Sequence, residues 1–217
     1  MMSDVISTRE FYLTERRTVE LIRALSRVMK NDNTLYDGMT IDTSTVFQND
    51  KLLHMLKLKY MTRENGFDSM MHFVSVALRV PPTHIASYHG TLVTCALFHD
   101  YYEDFSEPDP IIDNTIGLHP YLKPCLELLT RNDEVGYFDY IKTIANRATA
   151  YKDIVGITAL IIKLLDNLEN QYNCLKLNPN PSLLTRYIKA FHILEEAAQF
   201  IYNYLANPLR MQGDIDV

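Results

Sequence analysis

Apolar residues recur at helical spacing along nearly the whole chain. The first predicted helix, Glu10 to Lys30, carries apolar residues at three-residue steps with charges between them: Val19, Ile22, Leu25 and Val28. This spacing is typical of an amphipathic α-helix, whereas strict alternation of apolar and polar residues, the mark of a strand, does not recur along the sequence. The pattern therefore predicts an all-α fold.

Prolines, glycines and polar clusters divide the pattern into about eight to ten helices. After a polar loop at Asn31–Gln48, helices are predicted over Asp50–Tyr60, Asp68–Val80, Tyr88–Asp104, Ile111–Ile116, Tyr121–Thr130, Val135–Tyr151, Ile154–Leu175 and Ser182–Leu205. The helix Ile154–Leu175 is apolar on most faces, which predicts a central position in the bundle. The chain of 217 residues is predicted to form a single domain, 1–217.

The charge balance changes which partners are expected. The chain has 21 Lys plus Arg against 27 Asp plus Glu, a formal net charge of −6, which argues against non-specific binding to nucleic acid. The longest apolar stretch, Ile154–Ile162, is nine residues long, far short of the roughly 20 needed to cross a bilayer. With no secretory signal and three cysteines expected to be reduced and buried, we expect a cytoplasmic protein without a membrane partner.

Titratable residues stand in two places where helices are otherwise apolar. The predicted helix Tyr88–Asp104 ends in His99-Asp100-Tyr101-Tyr102-Glu103-Asp104, and Asp166 follows a long apolar run. Charged groups are costly in apolar surroundings unless they are paired or bind a metal. Asp166 alone is equally explained as a solvated acid or as the partner of Lys163 in an ion pair. Histidine and aspartate together favour a site for Mn, Fe or Mg with hydrolytic chemistry over a structural zinc site.

Four segments, in this order, resemble the HD phosphohydrolases, and within them the RelA/SpoT-type alarmone hydrolases. They are Arg63-Glu64-Asn65-Gly66 with His72 nine residues after the arginine, His99-Asp100-Tyr101-Tyr102-Glu103-Asp104, Leu129-Thr130-Arg131 followed by Tyr137-Phe138-Asp139-Tyr140-Ile141, and Lys163-Leu164-Leu165-Asp166 with Asn170. The resemblance covers about 51–172, which leaves 1–50 and 176–217 as helical flanks. It implies a single HD-type helical bundle, and the flanking helices are interpreted as scaffold or as a dimer surface.

The resemblance also implies roles for individual residues. Mn²⁺ would be held by His72, His99, Asp100 and Asp166. Glu103 and Asp104 would form the catalytic acidic pair beside the attacking water. The substrate would be contacted by Asn170 at a sugar or phosphate and by Arg63 at the base, and Arg131 and Lys163 are further candidates for phosphate binding. The implied reaction is removal of the 3′-pyrophosphate from guanosine tetra- or pentaphosphate, the alarmone of the stringent response, by a small stand-alone hydrolase.

Two departures from the family pattern leave the substrate open. Glu64 stands where the family has a lysine, and Gln171 and Tyr172 occupy the stretch where it has an arginine. Another purine alarmone, NADPH or a 5′-nucleoside triphosphate are therefore alternative substrates of the same fold. A third hypothesis, from a different class, is a non-catalytic regulator that binds a nucleotide.

Overall fold

A computed structural model describes residues 7–30, 66–83, 85–105, 107, 109–117, 120–177 and 179–207. Within these ranges all regular structure is helical, which confirms the predicted all-α class and is consistent with eight to ten helices. The helices are α1 (Thr8–Lys30), α2 (Gly66–Leu78), α3 (Ala86–Phe98), α4 (Tyr101–Asp104), α5 (Pro110–Gly117), α6 (Leu122–Leu129), α7 (Tyr137–Tyr151), α8 (Ile154–Tyr172) and α9 (Pro181–Ala206). The predicted loop Asn31–Gln48 and helix Asp50–Tyr60 lie outside the described residues.

Helix α8 lies at the centre of the bundle, as its sequence predicts. Every side chain from Ile157 to Glu169 is buried, and the helix packs against α1, α2, α3, α6, α7 and α9. It begins at Asp153, whose side chain accepts a hydrogen bond from the Gly156 backbone N–H at 2.8 Å and so caps the helix. At its end a π-helical turn, Asn173–Leu177, replaces the last part of the predicted helix Ile154–Leu175.

Helix α1 faces the core with a different stripe from the one predicted. Val19 and Val28 are only half-buried, whereas Ile22 and Leu25 are buried together with Phe11. Consecutive three-residue steps drift around a helix that has 3.6 residues per turn, so a strict three-residue series leaves the core face within a few steps. The buried stripe instead mixes three- and four-residue steps.

Helices α7 and α8 cross closely at Gly156. A Cβ atom at this position would lie 2.9 Å from both the Cα and the N atom of Ala148. The chain turns between the two helices at Lys152, which has a left-handed backbone conformation with φ of 53°. The missing side chain at Gly156 therefore allows α7 to approach the central helix.

The predicted helix Tyr88–Asp104 is interrupted, which corrects the sequence-based prediction. Helix α3 ends at Phe98 and α4 begins at Tyr101, so a two-residue turn, His99-Asp100, lies between them. Asp100 has φ of −99° and ψ of 7°, outside the α-helical region, while the His99 ring bonds back to the Ala96 carbonyl. The interruption thus falls on two of the four residues that the resemblance implicates in metal binding.

The remaining helices begin and end within two residues of their predicted bounds. The three cysteines, Cys95, Cys125 and Cys174, are buried free thiols, as expected. None of the helices in the described ranges combines the length and apolar character needed to cross a membrane.

Candidate metal centre and its cavity

Three separate parts of the chain bring two histidines and two aspartates together. His72 lies on α2, His99 and Asp100 form the turn after α3, and Asp166 lies on the central helix α8. His72 Nε2 is 3.1 Å from Asp166 Oδ1 and 3.3 Å from His99 Nε2. His99 Nε2 is 3.1 Å from Asp100 Oδ2 and 3.5 Å from Asp166 Oδ1. We call these four residues the His/Asp cluster.

The donor atoms of His72, His99 and Asp100 lie close enough together to hold one metal ion, and Asp166 Oδ1 lies within 3.5 Å of both histidines. Two donors that each lie about 2.1 Å from an ion are ~3.0 Å apart at a right angle and ~4.2 Å apart when opposite. Four of the measured separations are between 3.1 and 3.5 Å, and His72 Nε2 is 3.9 Å from Asp100 Oδ2. Two imidazoles and two carboxylates are a donor set that suits Mn²⁺ or Fe²⁺.

The His99 ring is oriented for this role. Its Nδ1 lies 2.8 Å from the Ala96 carbonyl oxygen, so Nδ1 carries the proton and donates it there. Nε2 then presents its lone pair to the cluster, an arrangement typical of metal-binding histidines. The Phe73 ring packs against the imidazole edge to face, with centroids 5.4 Å apart.

Without a metal, the carboxylates of the cluster favour a proton on His99. Burial opposes charging of the ring, but the nearby Asp100 and Asp166 carboxylates more than offset it and raise the pKa of His99 to about 10. Burial likewise opposes ionisation of Asp166, and the Lys163 ammonium and the two histidines hold its pKa well below the ordinary value. The site is therefore built to hold positive charge between its carboxylates.

The ion pair between Asp166 and Lys163, one of the explanations that the sequence left open, is present, and the same carboxylate also faces the histidines. Its Oδ2 atom pairs with Lys163 Nζ at 2.8 Å, and its Oδ1 atom faces the histidines. The Asn170 amide donates to that same Oδ1 at 2.7 Å. One carboxylate thus has one oxygen held by a lysine and the other directed to the cluster.

A partly buried ion network connects the end of α2 to α8. Arg79, just beyond α2, donates to Glu169 Oε2 from Nε at 2.9 Å and from Nη2 at 2.7 Å, and it also pairs with Glu15 of α1. Arg79 follows His72 by two helical turns, and Glu169 follows Asp166 by one. The two hydrogen bonds from Arg79 to one Glu169 oxygen therefore help to set the distance between His72 and Asp166.

The cluster lies at one side of a cavity of about 430 Å³. The cavity is lined by His72, Asp100, Glu103, Arg131, Tyr137, Tyr140, Lys163, Asp166, Asn170, Asn173, Arg186 and Tyr187. Seven of these are site residues named from the sequence: His72, Asp100, Glu103, Arg131, Lys163, Asp166 and Asn170. His99, almost fully buried, lies behind the cavity wall. Arg63 and Glu64 fall outside the described residues.

The acidic pair implied by the resemblance is divided between two environments. Glu103 lines the cavity, its Oε1 accepts a hydrogen bond from the Arg131 backbone N–H, and burial raises its pKa. Asp104 is half-buried on the same short helix and is not among the residues that line the cavity. The described structure thus brings Glu103, and not Asp104, to the cavity surface.

The sequence gives no specific indication that α9 contributes to the cavity. Arg186 and Tyr187, on α9, line the cavity, although the sequence predicts only a scaffold or dimer surface there. Beside them, Tyr137 from the motif-bearing segment Tyr137–Ile141 and Asn173 also line the cavity. The only signal in the sequence is a basic residue beside an aromatic one in the second turn of a helix, and such pairs are common on helix surfaces.

The chain matches no protein-family model, no curated protein and no solved structure. The functional argument therefore rests on the residues of the site.

Proposed function

We propose that this protein is a metal-dependent phosphohydrolase of the HD type that acts on a phosphorylated nucleotide. The observation that carries the proposal is the convergence of His72, His99, Asp100 and Asp166, from three separate chain segments, at a cavity of about 430 Å³. The cavity has the size of an ordinary small-molecule site. The order and spacing of the motifs around these residues support a hydrolase of the RelA/SpoT type.

The donor set fits Mn²⁺, with the four residues of the His/Asp cluster as its ligands. The chemistry that such an ion supplies when bound is polarisation of a phosphoryl oxygen and a lowered pKa for water. The chain's own residues prepare the site for it. The Ala96 carbonyl holds the tautomer of His99, and Lys163 and Asn170 hold the Asp166 carboxylate in position.

Glu103 is the chain's best candidate to accept a proton from the attacking water. Burial raises its pKa, and the Arg131 backbone N–H fixes one of its oxygens, which leaves the other available at the cavity surface. A carboxylate whose pKa is raised toward the working pH is a better general base than one with an ordinary pKa. Tyr140, although it lines the cavity, donates its hydroxyl proton to the Leu129 carbonyl and is therefore assigned a packing role.

The charges around the cavity favour an anionic substrate. Its wall carries three carboxylates, Asp100, Glu103 and Asp166, and three cationic side chains, Arg131, Lys163 and Arg186. These three negative and three positive charges cancel, so a bound divalent ion would give the cavity a net positive charge. We therefore favour a substrate with several phosphate charges, and a 3′-pyrophosphorylated purine nucleotide is the first choice.

The test is incubation of the purified protein with Mn²⁺ and a nucleotide panel, with an EDTA control for each member. The panel holds guanosine and adenosine 3′-pyrophosphates, NADPH and ordinary 5′-triphosphates, and release of pyrophosphate and phosphate is followed. We expect EDTA-sensitive release of pyrophosphate from a 3′-pyrophosphorylated nucleotide. Turnover of only NADPH or the 5′-triphosphates would keep the reaction class and replace the substrate. Release that EDTA does not affect would contradict the proposal.

A further inference from the structure

Arg186 is the cationic side chain of the cavity that has no anionic partner among the described residues. Lys163 pairs with Asp166 at 2.8 Å, and Arg131 lies 3.8 Å from the exposed Asp133. No carboxylate of the described chain lies within ion-pair distance of Arg186. Its Nε atom is buried and has no hydrogen-bond partner there, which is costly for a charged group unless a ligand supplies one.

Two tyrosines hold the Arg186 guanidinium in place. Its Cζ atom lies 4.7 Å from the centre of the Tyr137 ring and 5.2 Å from that of the Tyr187 ring. The two rings meet nearly at right angles, with centroids 6.2 Å apart, and Arg186 Nη2 approaches the Tyr187 hydroxyl at 3.5 Å. Contacts with aromatic faces attract the guanidinium and restrict its rotamers without neutralising its charge.

Arg186 and its two tyrosines lie on α7 and α9, whereas the residues of the His/Asp cluster lie on α2, on α8 and at the α3–α4 turn. Both border the same cavity of about 430 Å³. A ligand that fills the cavity would therefore contact both the His/Asp cluster and a fixed, unpaired guanidinium. The planar fork of an arginine matches two oxygens of a phosphate group.

We propose that Arg186, supported by Tyr137 and Tyr187, is an anion-binding subsite that receives a phosphate or diphosphate group of the substrate. The proposal rests on the proposed function, because it names a binding group of the same cavity. It adds a specificity-determining residue from a helix that carries none of the recognised motifs. Arg186 binds a charged group of the substrate and takes no part in metal binding.

The test measures two affinities of the full chain by titration calorimetry: that for Mn²⁺, and that for inorganic pyrophosphate with and without Mn²⁺. Arg186→Met is compared with Arg186→Lys, which keeps the charge and loses the planar fork. The matched control is Arg16→Met, because Arg16 is 78% exposed on α1 and already pairs with Glu20. Circular dichroism checks that each variant keeps its helical content.

We expect Arg186→Met to weaken pyrophosphate binding roughly 10- to 100-fold, with Arg186→Lys intermediate and Arg16→Met unchanged. The affinity for Mn²⁺ should stay within about twofold in all three, since Arg186 contacts no residue of the His/Asp cluster. Unchanged pyrophosphate affinity in Arg186→Met would overturn the subsite. If the unaltered protein did not bind pyrophosphate at all, the subsite would also be overturned. Failure of the unaltered protein to bind Mn²⁺ would instead overturn the proposed metal centre, and the metal-free titration would still test Arg186.

Discussion

Lys163 Nζ lies 2.8 Å from Asp166 Oδ2, one turn along the central helix, and both side chains are buried. The two charges are mutually dependent. Burial opposes the charge on Lys163, but Asp166 more than offsets this and raises the pKa of the lysine well above its ordinary value. Lys163 in turn lowers the pKa of Asp166. The pair therefore stays ionised in the interior and keeps the other oxygen of Asp166 directed at the histidines.

Replacing Lys163 by methionine should destabilise the metal-free protein. The change leaves the Asp166 carboxylate without its closest cation in a buried position, at a cost of roughly 3 kcal/mol in the free energy of unfolding. Urea unfolding followed by circular dichroism measures this loss. Saturating Mn²⁺ should reduce it, because the ion supplies the missing positive charge. Lys142→Met is the control, since Lys142 is 58% exposed on α7 and should change stability by less than about 0.5 kcal/mol. Equal losses in the two variants would contradict this account.

Asp166→Asn should abolish tight metal binding while the helical fold survives. The amide keeps the shape of the side chain but removes the anionic oxygen that faces His72 and His99, so the affinity for Mn²⁺ should fall by more than about 100-fold. Mn²⁺ at one hundred times its dissociation constant should stabilise the unaltered protein by ~2.7 kcal/mol, and this gain should vanish in the variant. Asp139→Asn, on the exposed face of α7, should bind Mn²⁺ normally. A variant Asp166→Asn with unaltered affinity would remove Asp166 from the ligand set.

Local sequence patterns predicted the helices and the segments that carry the His/Asp cluster. Apolar spacing and helix-breaking residues predict most helices and their bounds, although not the buried stripe of α1, and the motif-bearing segments contain every member of the His/Asp cluster. His99, Asp100 and Asp166 could be found because a titratable group in an otherwise apolar helix is visible in the sequence itself, whereas His72 was indicated only by the resemblance to the HD phosphohydrolases. Asp166, in the middle of the apolar run that forms α8, is the clearest example.

Other features depend on tertiary contacts that no local pattern encodes. Arg186 comes 20 residues after Asp166 along the chain, and only the packing of α9 against α7 and α8 brings it to the cavity.

The interruption of the predicted helix at His99 and Asp100 could not be predicted for another reason. Neither residue is a helix breaker, and the break is associated with the bond from the His99 ring to the Ala96 carbonyl. The sequence also placed Glu103 and Asp104 side by side without indicating which of them faces the cavity.

Tyr102→Phe should weaken the connection between α4 and α5 in a pH-dependent way. The Tyr102 hydroxyl donates to Asp113 Oδ1, and this bond, followed in importance by Lys123, lowers the pKa of Asp113. A carboxyl whose pKa is lower in the folded state contributes stability above its unfolded pKa and loses it as the pH falls through the folded value. The loss in Tyr102→Phe should therefore be about 1 kcal/mol near neutral pH and should shrink as the pH falls below the ordinary pKa of an aspartate and through the lowered pKa of Asp113.

An NMR titration of the Asp113 carboxyl checks the same bond directly. Its pKa should rise toward the ordinary value in Tyr102→Phe. Tyr12→Phe serves as the control because Tyr12 is an exposed residue of α1. If the titration of Asp113 were the same in the unaltered protein and in Tyr102→Phe, the hydroxyl would not be the cause of the lowered pKa.

Gly156→Ala should destabilise the protein because the α7–α8 crossing leaves no room for a methyl group. The new Cβ would lie 2.9 Å from backbone atoms of Ala148, and backbone atoms cannot move aside as the end of a flexible side chain can. The expected loss is about 1–3 kcal/mol in the free energy of unfolding, measured by urea unfolding. Gly117→Ala is the matched control. Nothing lies within 4 Å of a Cβ at that helical position, so alanine should be neutral or stabilise α5 by up to ~1 kcal/mol. If Gly117→Ala destabilised the protein more than Gly156→Ala, α7 would not approach α8 closely at Gly156. Lys163 and Asp166 of α8 would then be placed differently relative to Tyr137 of α7.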